Sequence, residues 1–244
     1  MNIKAVILAA GKGTRMKSDL PKVVHTIYDK PLVEYVINAA TEAGATDICV
    51  VVGYKADLVK NAIKANVTYA VQEEQLGTGH AVMQAADFIG KDGIVMILCG
   101  DTPLIQGITL KKLIDFHIEQ NNAASVLTTM VSDPTGYGRI IRNKEGKFIK
   151  NVEQKDATAD ELLSKEINSG MYLFNSNALQ EAFGSLTTNN AQGEYYLPDT
   201  LEYIKNKGLA VDALPIDCFE DILGVNTPEQ LEEAKEVIAK RTAR

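Results

Sequence analysis

Short runs of valine, isoleucine and leucine punctuate the chain, and between them apolar residues recur every three to four positions. The runs are Ile3–Ala9, Ile48–Val52, Val67–Val71, Ile94–Leu98, Ala124–Met130 and Met171–Phe174. Most are continuous rather than alternating, the pattern of strands covered on both faces, as in parallel sheets. From Pro31 to Ala43, residues Leu32, Val33, Val36, Ile37 and Ala40 fall on one helical face, with Pro31 suited to the first turn and Gly44 to the stop. Ala56–Ala65 and Thr109–Gln120 carry the same period. This rhythm predicts an α/β fold, a Rossmann-like three-layer sandwich with helices on both faces of a mostly parallel central sheet.

The second half is less regular. Tyr137–Arg142 and Lys147–Ile149, separated by Asn143–Gly146, predict a small antiparallel hairpin. The polar stretch Glu153–Glu161 reads as a surface loop. Thr227-Pro228-Glu229-Gln230 opens a terminal helix: Thr227 caps, Pro228 fits the first turn and Gln230 completes a capping box. Leu231, Ala234, Val237 and Ile238 form its apolar stripe. With no internal repeat and no low-complexity linker, the expected organisation is one domain over residues 1–226 followed by a helix over 227–244.

Composition narrows the function. The chain has 244 residues with 25 Lys and Arg against 32 Asp and Glu, a net charge of −7. That leaves no basic footprint for a nucleic-acid backbone, and no apolar stretch approaches the ~20 residues of a membrane span. The run Ala5–Ala10 after Lys4 is shorter than the ~7–15 residues of a signal-peptide core and reads as a buried first strand. Cys49, Cys99 and Cys218 are odd in number, far apart and in no metal-ligand spacing, which suits a reducing compartment. A cytoplasmic location is expected.

The strongest chemical signal is Leu8-Ala9-Ala10-Gly11-Lys12-Gly13-Thr14-Arg15-Met16, with Pro21-Lys22 downstream. A buried strand runs into a glycine loop, the place where open α/β sheets bind ligands. Glycines there let backbone N–H groups reach phosphate oxygens, and Lys12, Arg15 and Lys22 add positive charge. The spacing is not a Walker A loop, and Met16 stands where a dinucleotide fingerprint needs a third glycine. Asp101 follows the run Ile94–Leu98, at the carboxyl end where a magnesium ligand would sit, although a turn or cap aspartate is equally ordinary there. His25, His80 and His117 carry no pattern that asks for a catalytic histidine.

These residues resemble the signature of the sugar-1-phosphate nucleotidyltransferases. Gln72-x-x-Gln75-Leu76-Gly77-Thr78-Gly79-His80-Ala81 narrows the resemblance to N-acetylglucosamine-1-phosphate uridyltransferases (UDP-N-acetylglucosamine diphosphorylases), the N-terminal half of bifunctional bacterial uridyltransferase/acetyltransferases. Further matching blocks are Gly100–Leu104, Gly136–Ile140, Val152–Ala157, Glu166–Gly170, Asn189–Tyr196 and Gly224–Asn226, in order along almost the whole chain. The resemblance implies the nucleotide-diphospho-sugar transferase fold and a Mg²⁺-dependent transfer of UMP from UTP to N-acetylglucosamine 1-phosphate. It implies Arg15, Lys22 and Asp101 as catalytic residues and Asp101 with Asn226 as magnesium ligands. It implies nucleotide contacts from Leu8, Ala9, Ala10, Gly11, Gln72, Gly77 and Thr78. Gly100, Gly138, Glu153 and Asn168 would meet the sugar. Cys99 stands where well-known members have a tyrosine, a departure that puts a sugar contact there in doubt.

After Asn226 only the terminal helix follows, with no hexapeptide-repeat β-helix, so an acetyltransferase activity is not expected and the expected state is a monomer or weak dimer. The same fold with another sugar phosphate or nucleotide, or a non-catalytic sugar-nucleotide sensor, are the alternatives. The sensor reading is disfavoured because Arg15, Lys22, Asp101 and Asn226 are all present.

Overall fold

The structure, a computed structural model, describes residues 2–243. Its strands are β1 (Ile3–Ala9), β2 (Thr26–Ile27), β3 (Lys30–Pro31), β4 (Asp47–Val52), β5 (Thr68–Val71), β6 (Ile94–Cys99), β7 (Ala124–Met130), β8 (Arg139–Arg142), β9 (Phe148–Val152), β10 (Glu166–Asn175) and β11 (Val211–Ile216). Its helices are α1 (Leu32–Glu42), α2 (Ala56–Ala62), α3 (Thr78–Met83), α4 (Ala86–Ile89), α5 (Gly107–Glu119), α6 (Ser176–Ala182), α7 (Asp199–Asn206) and α8 (Pro228–Thr242).

The main sheet runs β11-β7-β10-β6-β1-β4-β5, with β8 and β9 attached through β10. Neighbours β6, β1, β4 and β5 are parallel, as are β11 and β7. The apolar faces of α1 and α5 cover one side of the sheet, packing Val33, Val36, Ile37, Leu110 and Leu113 on Ile7, Val50 and Met96. On the other side α3, α6 and α7 bring Val82, Leu179 and Leu201 onto Val6, Val51 and Ile97. Strands β1, β4 and β6 are therefore largely buried on both faces, which is why their sequences are continuous rather than alternating; the run Val67–Val71 departs from that expectation, because β5 is an edge strand with Tyr69 and Val71 exposed.

Several local expectations need correction. Met171–Phe174 belongs to β10, a ten-residue strand antiparallel to both β6 and β7 rather than a parallel one. Its double burial is the same in either direction, so hydrophobicity alone does not reveal its sense. The helix expected over Ala56–Ala65 stops at Ala62, because the buried Glu34 carboxylate accepts the N–H groups of Lys64 and Ala65 and holds that segment extended. The loop over Glu153–Glu161 ends in a 3-10 turn, Glu161–Leu163. At the start of α8, Thr227 Oγ1 accepts the Gln230 N–H at 3.3 Å, but Gln230 Oε1 takes the N–H of Asn226 instead of closing a capping box on Thr227. Strand β11 contains Pro215, tolerated because β11 is an edge strand.

Candidate active site

The chain runs from β1 outward through β4 to β5, then returns to the opposite flank of β1 as β6. A sheet whose winding reverses in this way opens a crevice at the carboxyl ends of the two strands concerned. Here those ends carry Leu8–Gly11 and Cys99–Asp101. They are stitched together by the Gly100 N–H donating to the Leu8 carbonyl at 2.9 Å. At the neighbouring ends of β4 and β5, a Cβ on Gly53 would lie 2.8 Å from the Gln72 carbonyl oxygen and 2.9 Å from that of Ala10. Only glycine lets these three chain segments meet.

Beyond Gly11 the chain makes a tight turn with Gly13 at φ 67° and Lys17 at φ 51°, both left-handed. A Cβ on Gly13 would stand 2.5 Å from Lys22 Cβ, so the turn lies directly against the Lys22 stem. The Lys22 ammonium makes a close ion pair with Asp101 Oδ2 and donates to Asn226 Oδ1 at 2.7 Å. Arg15 donates to the same Asn226 oxygen at 2.9 Å. Asn226 reaches this point because the Val225 N–H donates to the Asp101 carbonyl at 2.8 Å. Four residues from three distant parts of the chain thus form one cluster at the crevice mouth.

The crevice itself is a cleft of about 300 Å³. Leu8, Ala9, Ala10 and Gly11 line one wall, Cys99 and Asp101 another, and Gln72, Gly77 and Thr78 a third, with Lys22 reaching in. Gln72 is buried, and its Nε2 lies 3.1 Å from both the Gly77 carbonyl and His80 Nδ1. Gly77 has φ 107°, and a Cβ there would stand 2.6 Å from the Tyr195 carbonyl oxygen. That carbonyl accepts the Gly79 N–H at 2.8 Å, and Thr78 Oγ1 accepts the Leu197 N–H at 3.1 Å. The segment Glu194–Leu197 is thereby pinned beside α3, and Glu194 joins the cleft lining.

Gly138, Glu153 and Asn168 do not line this cleft; they form an adjoining group. The Asn168 N–H donates to the Gly138 carbonyl at 3.0 Å, and Asn168 Oδ1 accepts the Gly170 N–H at 2.9 Å across a bulge in β10. A Cβ on Gly138 would stand 3.1 Å from Glu153 Oε1. Burial pushes the Glu153 carboxyl up from its ordinary value, and the charges of Asp156 and Glu194 push in the same direction. Cys99 links the two groups, its thiol facing the Gly170 carbonyl at 3.5 Å. Burial, reinforced by Asp101, raises that thiol to about 12, so it stays protonated at neutral pH.

Over residues 4–240 the chain matches the family described as nucleotidyl transferase. The chain belongs to the nucleotidyl transferase family. It is 49% identical over 241 residues to the bifunctional protein GlmU of Clostridioides difficile (strain 630), covering 99% of this chain and 52% of that protein. It is 51% identical over 236 residues to the bifunctional protein GlmU of Thermoanaerobacter pseudethanolicus, covering 97% and 51%. To the bifunctional protein GlmU of Halalkalibacterium halodurans it is 46% identical over 238 residues, covering 97% and 52%. The chain spans about half the length of these relatives.

In this nucleotidyl transferase, a cation site is supported by the oxygens themselves. Among the described residues no three His, Cys, Asp or Glu side chains converge to hold a metal. Asp101 and Asn226, however, already turn two hard oxygen donors onto one positive group, the Lys22 ammonium. That donor set fits a divalent ion which takes few protein oxygens and completes its shell with phosphates and water. Sequence reasoning missed His80, Gln75, Glu194 and Gly53. His80 stacks on Tyr195, with ring centroids 6.1 Å apart, and touches Gln72, a contact that no local pattern announces. Glu194 lies in a matching block, Asn189–Tyr196, and that was its only sequence signal.

Proposed function

We propose that this chain transfers UMP from UTP to N-acetylglucosamine 1-phosphate, giving UDP-N-acetylglucosamine and pyrophosphate. The observation that carries this reading is the cluster of Arg15, Lys22, Asp101 and Asn226 at the mouth of a cleft floored by the buried amide of Gln72. The ordered likeness to proteins named bifunctional GlmU supports it along the whole chain.

In this reading the cleft takes the nucleoside. Gln72, its NH₂ group directed by the Gly77 carbonyl and His80, pairs its amide with the uracil edge. The backbone of Leu8–Gly11 and Gly77–Thr78 approaches the base and phosphates. Gly100 and Gly138, with Glu153 and Asn168, meet the sugar. A phosphate oxygen of the sugar phosphate attacks the α-phosphorus in line; the new P–O bond forms as the bond to the β-phosphate oxygen breaks, and pyrophosphate leaves with the electron pair. The nucleophile is already ionised, so no general base is needed, and the work of the protein is alignment and charge neutralisation. Arg15 and Lys22 supply positive charge to the phosphates. Mg²⁺, held by Asp101 and Asn226, would neutralise the charge developing on the phosphate oxygens.

Residues 1–226 then form the catalytic unit, with α8 docked on it through Ala234 in the small apolar cluster of Met16, Leu32 and Leu104. No helix among the described residues is long and apolar enough to cross a membrane, and we place the enzyme in the cytoplasm as a monomer or weak dimer. The test is pyrophosphate release with UTP, dTTP or ATP against N-acetylglucosamine 1-phosphate, glucose 1-phosphate and their relatives. Turnover led by UTP with N-acetylglucosamine 1-phosphate supports the reading; turnover only with another pair overturns it.

A further inference from the structure

Lys22 occupies the position that a cofactor cation would claim. Its ammonium contacts both Asp101 Oδ2 and Asn226 Oδ1, the two oxygens that would hold the divalent ion. The Lys22 and Asp101 side chains are only 17% and 19% exposed, so water does little to screen the pair. Arg15 adds a second positive group to the same Asn226 oxygen. An ammonium and a divalent cation cannot share two oxygens at hydrogen-bonding distance without strong repulsion.

We propose that Lys22 is an internal counter-cation of this site. In the metal-free protein it offsets the Asp101 charge and donates to the Asn226 oxygen. It vacates them when that ion binds, and its released ammonium turns to the substrate phosphates. Metal loading and the delivery of Lys22 to the triphosphate are then one coupled event, and the inference rests on the nucleotidyl-transfer reading above.

The local architecture permits the exchange. Lysine carries its charge on a flexible four-carbon stem. The turn at Gly13 presses on Lys22 Cβ, which fixes the base of that stem and leaves its end to swing. Lys22 also lines the nucleotide cleft with Gly11 and Gln72, so a phosphate in the cleft lies within the sweep of the ammonium. Independently of Lys22, the Val225 N–H on the Asp101 carbonyl and Gln230 on the Asn226 N–H hold the two backbones, and Asn226 Nδ2 donates to the Gly224 carbonyl at 3.2 Å. Both residues therefore keep their backbone position, and Asn226 its amide orientation, when the ammonium leaves.

The thermodynamic consequence is unusual for a phosphate-binding lysine. In the absence of nucleotide the ammonium competes with the metal, so removing it strengthens metal binding. A triphosphate offers the displaced ammonium a new partner, so metal and nucleotide assist one another, and by linkage the assistance is reciprocal.

The experiment measures Mn²⁺ binding by electron paramagnetic resonance, without nucleotide and with a UTP analogue bearing a methylene bridge between its α and β phosphorus atoms. Lys22→Met keeps the stem and removes the charge; Arg15→Met removes a charge near Asn226 while leaving the Asp101 contact intact. Without nucleotide, Lys22→Met should bind Mn²⁺ about tenfold more tightly than the parent protein, and more tightly than Arg15→Met. The gain in Mn²⁺ affinity that the analogue confers on the parent should largely vanish in Lys22→Met. Unchanged or weaker Mn²⁺ binding by Lys22→Met, or an effect equal to that of Arg15→Met, overturns the proposal.

On the unmodified protein, the ¹⁵N resonance of the Lys22 ammonium should shift when Mg²⁺ is added without nucleotide; Mg²⁺ binding that leaves it unmoved also overturns the proposal. The nucleotide-free measurements stand whether or not pyrophosphate is ever released, so failure of the activity assay counts against the proposed reaction and not against this exchange.

Discussion

The Asp101 carbonyl accepts the Val225 N–H at 2.8 Å, and that one backbone bond sets Asn226, from the far end of the chain, beside the Asp101 carboxylate. The pair is thus built by loop-to-loop closure rather than by any local motif. Replacing Asp101 with Ala should cut pyrophosphate release by at least ~100-fold, the scale at which loss of a charge-stabilising group is felt. Asn226→Ala should raise the Mg²⁺ concentration required for half-maximal rate, about 10- to 100-fold. A metal titration of the steady-state rate measures both.

Gly13 has φ 67° and no space for a methyl group against Lys22 Cβ. Gly13→Ala should therefore displace the base of the Lys22 stem as well as strain the backbone. The expected outcome is a loss of kcat by about tenfold or more with a modest fall in melting temperature, because an ångström of misplacement costs alignment. A variant with normal kcat would show that the turn does not position Lys22.

His80 sits 3.1 Å from Gln72 Nε2 and stacks on Tyr195. Its removal should loosen Gln72 without touching the reacting phosphates. His80→Ala is expected to raise KM for UTP by about tenfold while leaving kcat and the KM for the sugar phosphate near their original values, the signature of lost uniform binding. Steady-state kinetics with each substrate varied in turn supplies the measurement.

Glu161 pairs with Lys150 at 2.6 Å and accepts two hydrogen bonds from Thr158, which hold its carboxyl down to about 2. A carboxyl lowered on folding contributes stability that is present above its unfolded value of 4.5 and is lost as pH falls toward about 2. Glu161→Gln should melt at a lower temperature than the parent at pH 7, and the difference should close as pH falls through that window. Calorimetry across pH 7 to about 2 checks the sign.

The half-buried Cys99 thiol in the cleft lining, pushed up to about 12 by desolvation and by Asp101, has almost no thiolate at pH 8. It should resist iodoacetamide in the folded protein and react freely once denatured, as read by mass spectrometry of the alkylated peptides. Rapid labelling of Cys99 in the native state would contradict the raised thiol.

Much of this architecture is written locally. Ile48–Val52 and Ile94–Leu98 lie inside observed strands because a continuous apolar run has no stable place except between two covering layers. The face of α1 followed from its period, and the Leu8–Met16 loop from glycines and cations that a plain turn does not require. Helices α6 and α7 and strand β11 were not legible, since two are short and the third carries Pro215. The direction of β10 was not legible either: burial depends on its neighbours, not on its sense.

Period, breaker and cap are local free energies, and they set where the elements of this chain begin and end. Which ends meet is not a local matter, because it rests on hydrogen bonds between loops far apart in the chain. Those bonds place Asn226 on Asp101 and Tyr195 against Gly79, and His80 on Gln72. They also leave Gly138, Glu153 and Asn168 in a group adjoining the cleft instead of within it. The ammonium of Lys22 resting on both oxygens of the Asp101–Asn226 pair belongs to the same class, since it exists only once three separate segments have closed on one another.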